Sequence, residues 1–121
     1  MTTRFVEVPA SAIRQRLEAA GFHLIPAQYG EEIYERAHDK DPKYTVKVYS
    51  SVRRGSPDAR SCGADAIRVV AILTGSNGKT YPIHKGKRVY RTGTVEKVLE
   101  RMIERAREAY ARCNEHRKEQ R

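Results

Sequence analysis

The pattern that most constrains the fold is a single apolar stripe near the carboxyl end of the chain. Between residues 94 and 113, apolar side chains recur at helical spacing: Val95, Val98, Leu99, Met102, Ile103, Ala106, Tyr110 and Cys113. Thr94 is suited to cap this helix, and the pattern can be extended to His116. A helix with one apolar face needs a surface to pack on. Residues 115–121 are charged, and we expect them to fray.

The residues before this helix predict the surface that it covers. Strand patterns occupy residues 22–28, 32–38, 44–50, 66–73 and 79–84, and a further strand segment at 87–91 follows a turn or bulge. A short helix is predicted at Ser11–Ala20, with Ser11 as its cap and Gly21 at its end. This order predicts one α+β domain over residues 1–121. It is an antiparallel sheet of about five strands, with the short N-terminal helix and the long C-terminal helix packed on one face.

The segment Gly75–Thr80 resembles a phosphate-binding loop but does not satisfy its requirements. The Walker pattern needs Gly where this chain has Leu73, and it needs a helix to begin at Lys79. Pro82 would disrupt that helix in its second turn. The Asn77-Gly78 pair is typical of a β-hairpin, so we predict a turn here.

The distribution of charge suggests the class of partner. The chain has a net charge of +9, and the segment Lys43–Arg91 alone contains eleven Lys/Arg, two acidic residues and four tyrosines. A surface selected only for solubility would mix the two signs. Segregated positive charge on strands and loops indicates a polyanionic partner, most often nucleic acid.

Strand alternation predicts where this charge lies. If Val46 and Val48 face the core, Lys47 and Tyr49 face away from it. If Val89 faces the core, Arg88 and Tyr90 face away from it in the same manner. Cations beside aromatic rings suit a surface that holds phosphates and stacks bases. The complete predicted nucleic-acid-binding set is Lys47, Tyr49, Arg53, Arg54, Arg60, Lys79, Lys85, Lys87, Arg88, Tyr90 and Arg91. We expect DNA slightly ahead of RNA, in a recombination or replication accessory.

Two functions of other classes remain open. A metal-dependent nuclease would need converging carboxylates, for which Asp58, Asp65 or the Glu35–Asp41 region are the candidates. A basic adaptor would use the same positive charge to bind an acidic protein. No catalytic residue, metal ligand or cofactor is predicted, because the histidines lack ligand spacing and no nucleophile motif occurs.

The compartment and the assembly state follow from weaker signals. Cys62 and Cys113 are predicted to be unpaired thiols, and no signal peptide or membrane-spanning run is present, so we expect a cytoplasmic protein without a membrane partner. If the apolar stripe of the 94–113 helix is wider than the sheet can cover, its uncovered residues would pack against a second copy of the chain and form a homo-oligomer. Met102, Tyr110 and Cys113 lie towards that part.

Two known families have a similar order of elements. The strands and long helix from Tyr44 to Cys113 resemble the core of single-strand annealing proteins, which would imply annealing activity and ring assembly. The α–β–β–β–α order resembles the double-stranded-RNA-binding domain. That family carries a Lys-rich cluster where this chain reads Thr94-Val95-Glu96-Lys97, and this chain has more strands. Both resemblances are topological, and the sequence assigns the chain to neither family.

Overall fold

The α+β architecture is confirmed, with six strands instead of about five. The computed structural model describes residues 8–26, 31–51, 66–91 and 93–120. The elements are α1 (Ala10–Ala19), β1 (His23–Ile25), β2 (Glu31–Ala37), β3 (Tyr44–Ser51), β4 (Ala66–Thr74), β5 (Thr80–Lys85), β6 (Val89–Tyr90) and α2 (Val95–Glu119). Within these ranges, no helix combines the length and the apolarity needed to cross a bilayer.

The sheet is antiparallel, and its strands follow the order β1-β2-β3-β4-β5. The sixth strand arises because the final strand is broken. β5 pairs with the second half of β4 and β6 pairs with its beginning, where Ile67 lies opposite Val89. Between them, the Gly86 amide donates a hydrogen bond to the Val69 carbonyl at 2.9 Å. The predicted turn or bulge after β5 therefore divides one predicted strand into two.

The predicted alternation along the central strands is confirmed. Val46 and Val48 on β3 are at most 1% exposed, and Val89 on β6 is 3% exposed. Ile13 of α1 and Val98 of α2 belong to the same buried cluster as these strand residues. Both helices therefore cover one face of the sheet. We call the opposite face the open face.

The β4–β5 connection is a hairpin turn, as predicted. The Gly78 amide donates to the Gly75 carbonyl at 2.9 Å, and the Gly75 amide donates to the Lys79 carbonyl at 2.8 Å. Gly78 has a φ of +79°, in the left-handed region that glycine adopts without strain. The Asn77 side chain accepts a hydrogen bond from the Lys79 amide at 3.0 Å. A strand, not a helix, begins at Thr80, so the geometry of a phosphate-binding loop is not formed.

The first helix ends as predicted but begins differently. Gly21 has a φ of +89°, and the Phe22 amide donates to the Leu17 carbonyl at 2.9 Å, which is the expected helix ending. Pro9 stands at the N-cap, and Ser11 lies inside the first turn. Proline suits a helix start because the first amides have no partner within the helix.

The C-terminal helix continues past the predicted fraying point to Glu119. Two contacts hold the additional turn against the β2–β3 connection and the first residue of β3. A hydrogen bond of 2.7 Å joins the Tyr44 hydroxyl to His116 Nδ1, and Arg117 Nε lies 3.4 Å from an Asp41 carboxylate oxygen. Tyr44 is fully buried, and this burial raises the pKa of its phenol. Residues 115–121 are mostly charged, yet His116 and Arg117 both contact other parts of the fold.

Removing residues 115–121 is therefore expected to destabilise the protein. The truncation leaves the buried Tyr44 hydroxyl without its partner, which costs about 1–3 kcal/mol in the free energy of unfolding. Urea denaturation of the two chains measures this difference. As a control, Glu115→Ala and Glu119→Ala change exposed residues of the same turn and should shift the free energy by less than about 0.5 kcal/mol. Equal stability of the truncated and full chains would show that the last turn is not anchored.

The apolar stripe of α2 is used within the chain. Met102 and Cys113, which were expected towards an overhanging part, are 0% and 1% exposed. Burial raises the pKa of the Cys113 thiol to about 11, so the thiol stays protonated at neutral pH and is a poor nucleophile. Tyr110 is half-buried and contacts the β2–β3 connection. Met102 and Cys113 are thus unavailable to a second copy of the chain.

Candidate nucleic-acid interface

The register of the sheet determines which side chains share the open face. Lys47 lies opposite Glu35 on one side and Val70 on the other, and Val70 lies opposite Lys85. Residues directly opposite one another on neighbouring strands point to the same face. Among the side chains that the structure describes, the charged and aromatic ones that this register places on the open face are His23, Glu35, Lys47, Tyr49, Arg68, Lys85 and Tyr90.

Four predicted binding residues meet on this face. Lys47 and Tyr49 come from β3, Lys85 from β5 and Tyr90 from β6. Tyr90 is 56% exposed, the largest value among the exposed large hydrophobic residues of the described chain. Lys85 is also exposed, while Lys47 and Tyr49 are half-buried between their neighbours. Antiparallel pairing thus unites residues that are far apart in the sequence.

Arg68 belongs to the same surface and was missed by the sequence reasoning. It lies opposite Tyr49, and its guanidinium carbon is 5.3 Å from the centre of the Tyr49 ring, a cation–π contact. It is exposed, while Ile67 and Val69 on either side of it are buried. The signal was present, because Arg68 is the single charge in an apolar strand and alternation places it opposite the core.

Glu35 reduces the positive charge of the open face. Its backbone position lies directly opposite Lys47. Opposite charges in such a pair attract one another, so part of the field of Lys47 is neutralised by the protein itself. The described side chains of the open face therefore include three Lys/Arg cations, one carboxylate, one histidine and two tyrosines, which is a weaker positive excess than the composition of the central segment suggests.

The other predicted cations are distributed outside the strands of the open face. Lys79 is exposed in the β4–β5 hairpin, and Lys87 and Arg88 are exposed between β5 and β6. Arg53, Arg54 and Arg60 lie outside the described residues.

The prediction for Arg91 is wrong, because its side chain points inwards. Arg91 is 2% exposed, and its Nη2 donates a hydrogen bond to the Val8 carbonyl at 3.1 Å. The Val8 amide in turn donates to the Arg91 carbonyl at 2.9 Å. Arg91 thus attaches the segment before α1 to the end of β6 and is not placed to meet an external phosphate.

The carboxylates around the β2–β3 turn do not converge. Asp39 accepts a hydrogen bond from the Tyr110 hydroxyl at 3.2 Å, and Asp41 pairs with Lys43 at 3.7 Å. Glu35 lies on the open face instead. Among the described residues, no group of three or more His, Cys, Asp or Glu side chains could hold a metal ion. Asp58 and Asp65 lie outside the described residues.

A stacked cluster joins the β2–β3 turn to α2 on the helix side of the sheet. The rings of His38 and Tyr110 are parallel, with centroids 4.9 Å apart, and the Arg36 guanidinium carbon lies 4.8 Å from the Tyr110 centroid. His38 Nδ1 accepts hydrogen bonds from the Lys40 and Asp41 amides, so Nε2 carries the proton and donates to Asn114 at 2.6 Å. The contacts made by this cluster are internal, which gives it a structural role.

Comparison with protein-family models, curated proteins and solved structures finds no match to this chain. The interpretation of function therefore depends on the chemistry of the open face. That face offers separated cations that can bind anionic groups and two tyrosine rings that can stack on planar groups. Nucleic acid combines both properties in one polymer.

Proposed function

We propose that this protein binds nucleic acid through the open face of its sheet. The observation that supports this proposal is the meeting of Lys47, Arg68 and Lys85 with two tyrosine rings on a face that neither helix covers. Lysine and arginine neutralise phosphates and release condensed counterions, which supplies most of the binding free energy in complexes without sequence specificity. The tyrosines add contacts that a purely ionic surface lacks.

The exposed cations near β5 extend the same interface. Lys79 stands in the hairpin that leads into β5, and Lys87 and Arg88 follow the end of that strand. A polyanion crossing the sheet towards β5 would meet these residues after leaving Lys85. Their flexible side chains can follow a phosphate backbone without imposing a sequence preference. Near β2, the carboxylate of Glu35 repels phosphates. The nucleic acid is therefore expected to cross β3, β4 and β5.

Binding is expected to weaken steeply as salt is added. Each phosphate of a single strand that the protein neutralises contributes a slope of about −0.7 to the dependence of log affinity on log salt, so three open-face cations give about −2. Raising the salt from about 50 mM to about 200 mM should then reduce the affinity roughly 20-fold, and more if further cations contribute. Fluorescence anisotropy with a labelled single-stranded oligonucleotide of about 20 nucleotides measures this slope.

A charged polymer without bases provides the control for this titration. Polyglutamate of similar length carries negative charge but offers no ring to the tyrosines. At equal total charge it should compete less well than an unlabelled oligonucleotide, because it lacks the ring contacts. Equal competition would favour an acidic protein as the partner, and absence of oligonucleotide binding at about 50 mM salt would overturn the proposal.

A further inference from the structure

We infer that the open face takes single-stranded nucleic acid and stacks unpaired bases against Tyr49, Arg68 and Tyr90. This inference rests on the proposed function and goes beyond it, because phosphate neutralisation alone does not distinguish one strand from two. It follows from the arrangement of three planar side chains on three neighbouring strands.

The three side chains form a diagonal line across the sheet. Tyr49 on β3 lies directly opposite Arg68 on β4, and Tyr90 on β6 lies opposite Ala66, two residues before Arg68. With strands about 4.8 Å apart and about 3.3 Å per residue, the Cα atoms of the two tyrosines are roughly 12 Å apart, with Arg68 between them. Because the Arg68 guanidinium lies over the Tyr49 ring, the line offers two stacking positions, the Tyr49–Arg68 pair and the Tyr90 ring, to bases of one extended strand.

A double helix cannot use these planar groups. Its bases are stacked on one another and paired, so that only base edges, sugars and phosphates are accessible from the grooves. A tyrosine ring stacks on a base only when that base is splayed out of its helix. Open sheet faces that stack two or three unpaired bases are an established architecture for single-strand recognition. The same face would hold a duplex through its cations alone.

Arg68 has a specific part in this arrangement. Its guanidinium lies over the Tyr49 ring, at 5.3 Å from the ring centre. A guanidinium is planar and stacks on aromatic rings and on bases, whereas the ammonium group of lysine is a point charge that cannot stack. An incoming base can stack on this guanidinium, and the arginine can contact a phosphate at the same time. Replacing Arg68 by lysine therefore separates stacking from charge.

The chain offers a matched control for the exposed tyrosine. Tyr81 on β5 is 46% exposed, close to the 56% of Tyr90. It lies opposite Leu73, which is packed against the core, so Tyr81 is on the helix side of the sheet. Tyr81→Ala and Tyr90→Ala thus remove similar exposed rings from opposite sides of the sheet. Because both rings are on the surface, neither change should prevent folding, and circular dichroism checks this.

The experiment measures the affinity of the full chain for a single strand and for a duplex of equal length. The proteins compared are the wild type and the variants Tyr90→Ala, Arg68→Lys and Tyr81→Ala. Tyr90→Ala should reduce single-strand affinity by about 5- to 150-fold, the range observed for loss of one base-stacking aromatic, and leave duplex affinity nearly unchanged. Arg68→Lys should also weaken only single-strand binding, and Tyr81→Ala should change neither affinity.

Intrinsic fluorescence gives a second readout of stacking. The chain contains seven tyrosines and no tryptophan, so its emission comes from tyrosine. An oligonucleotide that stacks on Tyr90 should quench part of this emission, and Tyr90→Ala should remove that part.

The outcomes separate this inference from the proposed function. Equal affinity for the single strand and the duplex, with no effect of Tyr90→Ala or Arg68→Lys, would overturn base stacking and leave nucleic-acid binding standing. The base-stacking inference would also be overturned if Tyr81→Ala and Tyr90→Ala reduced single-strand affinity equally. An exposed tyrosine would then contribute to binding on either face of the sheet. Absence of binding to either nucleic acid at low salt would overturn the proposed function itself.

Discussion

Replacing Lys47, Arg68 and Lys85 together by glutamine is expected to weaken binding to a single-stranded oligonucleotide about 100-fold at about 0.1 M salt. Each lost phosphate contact removes about 0.7 from the salt slope, which at this concentration corresponds to about 0.7 in log affinity. The three contacts together give about two logarithmic units. Glutamine is shorter than lysine and arginine but keeps hydrogen-bonding capacity, so the triple change removes three charges and, at Arg68, the guanidinium as well. The slope itself should fall by about 2, which the same anisotropy titration measures.

A second triple variant keeps the change in net charge but moves it away from the open face. Lys97, Arg101 and Arg112 are exposed on α2, on the covered side of the sheet. Charges separated by more than about 10 Å are largely screened at 0.1 M salt, so replacing these three by glutamine should change affinity only slightly. Similar losses in the two triple variants would show that net charge, and not the open face, determines binding.

Met102→Ala is expected to lower the free energy of unfolding by about 2–5 kcal/mol, the usual range for truncating a buried methionine. Met102 is 0% exposed and belongs to the cluster that joins α2 to the sheet. The substitution removes apolar atoms and leaves a cavity that the neighbouring strands can fill only in part. Urea denaturation followed by circular dichroism gives the difference, with the slope of the transition expected to stay constant.

The neighbouring residue provides the control for this substitution. Arg101 is exposed on the same helix, so Arg101→Ala should shift the free energy by less than about 0.5 kcal/mol. If Met102 instead contacted a second copy of the chain, its replacement would change the sedimentation behaviour and the loss of stability would depend on protein concentration. An unchanged midpoint for Met102→Ala would contradict the placement of this residue in the core.

The elements of the fold were largely predictable because local periodicity specifies them. The stripe from Val95 to Cys113 has the period of a helix, and the alternation around Val46 and Val48 has the period of a strand. Asn77-Gly78 favours a tight turn for reasons within the residues themselves. None of these features depends on which part of the chain lies next to them.

The errors concern residues whose environment is supplied by distant parts of the chain. Arg91 resembles the other cations of the basic segment, but its guanidinium meets the Val8 carbonyl, 83 positions away. His116 lies in a charged segment that resembles a fraying end, yet Tyr44 holds it from 72 positions away. A long side chain can reach inwards or outwards from the same backbone, so composition alone does not distinguish a surface arginine from an anchoring one.

The sequence alone determined the set of elements, the helix-facing side of each central strand and the positive charge of the central segment, because these depend on near neighbours. Only the tertiary structure decided which side chains meet. The register of β2, β3 and β4 places Glu35 beside Lys47 and Arg68 over Tyr49. Register is set by the packing of whole strands against a shared core, and a shift of one residue would exchange the two faces. The candidate site is thus a property of strand pairing between segments distant in the sequence.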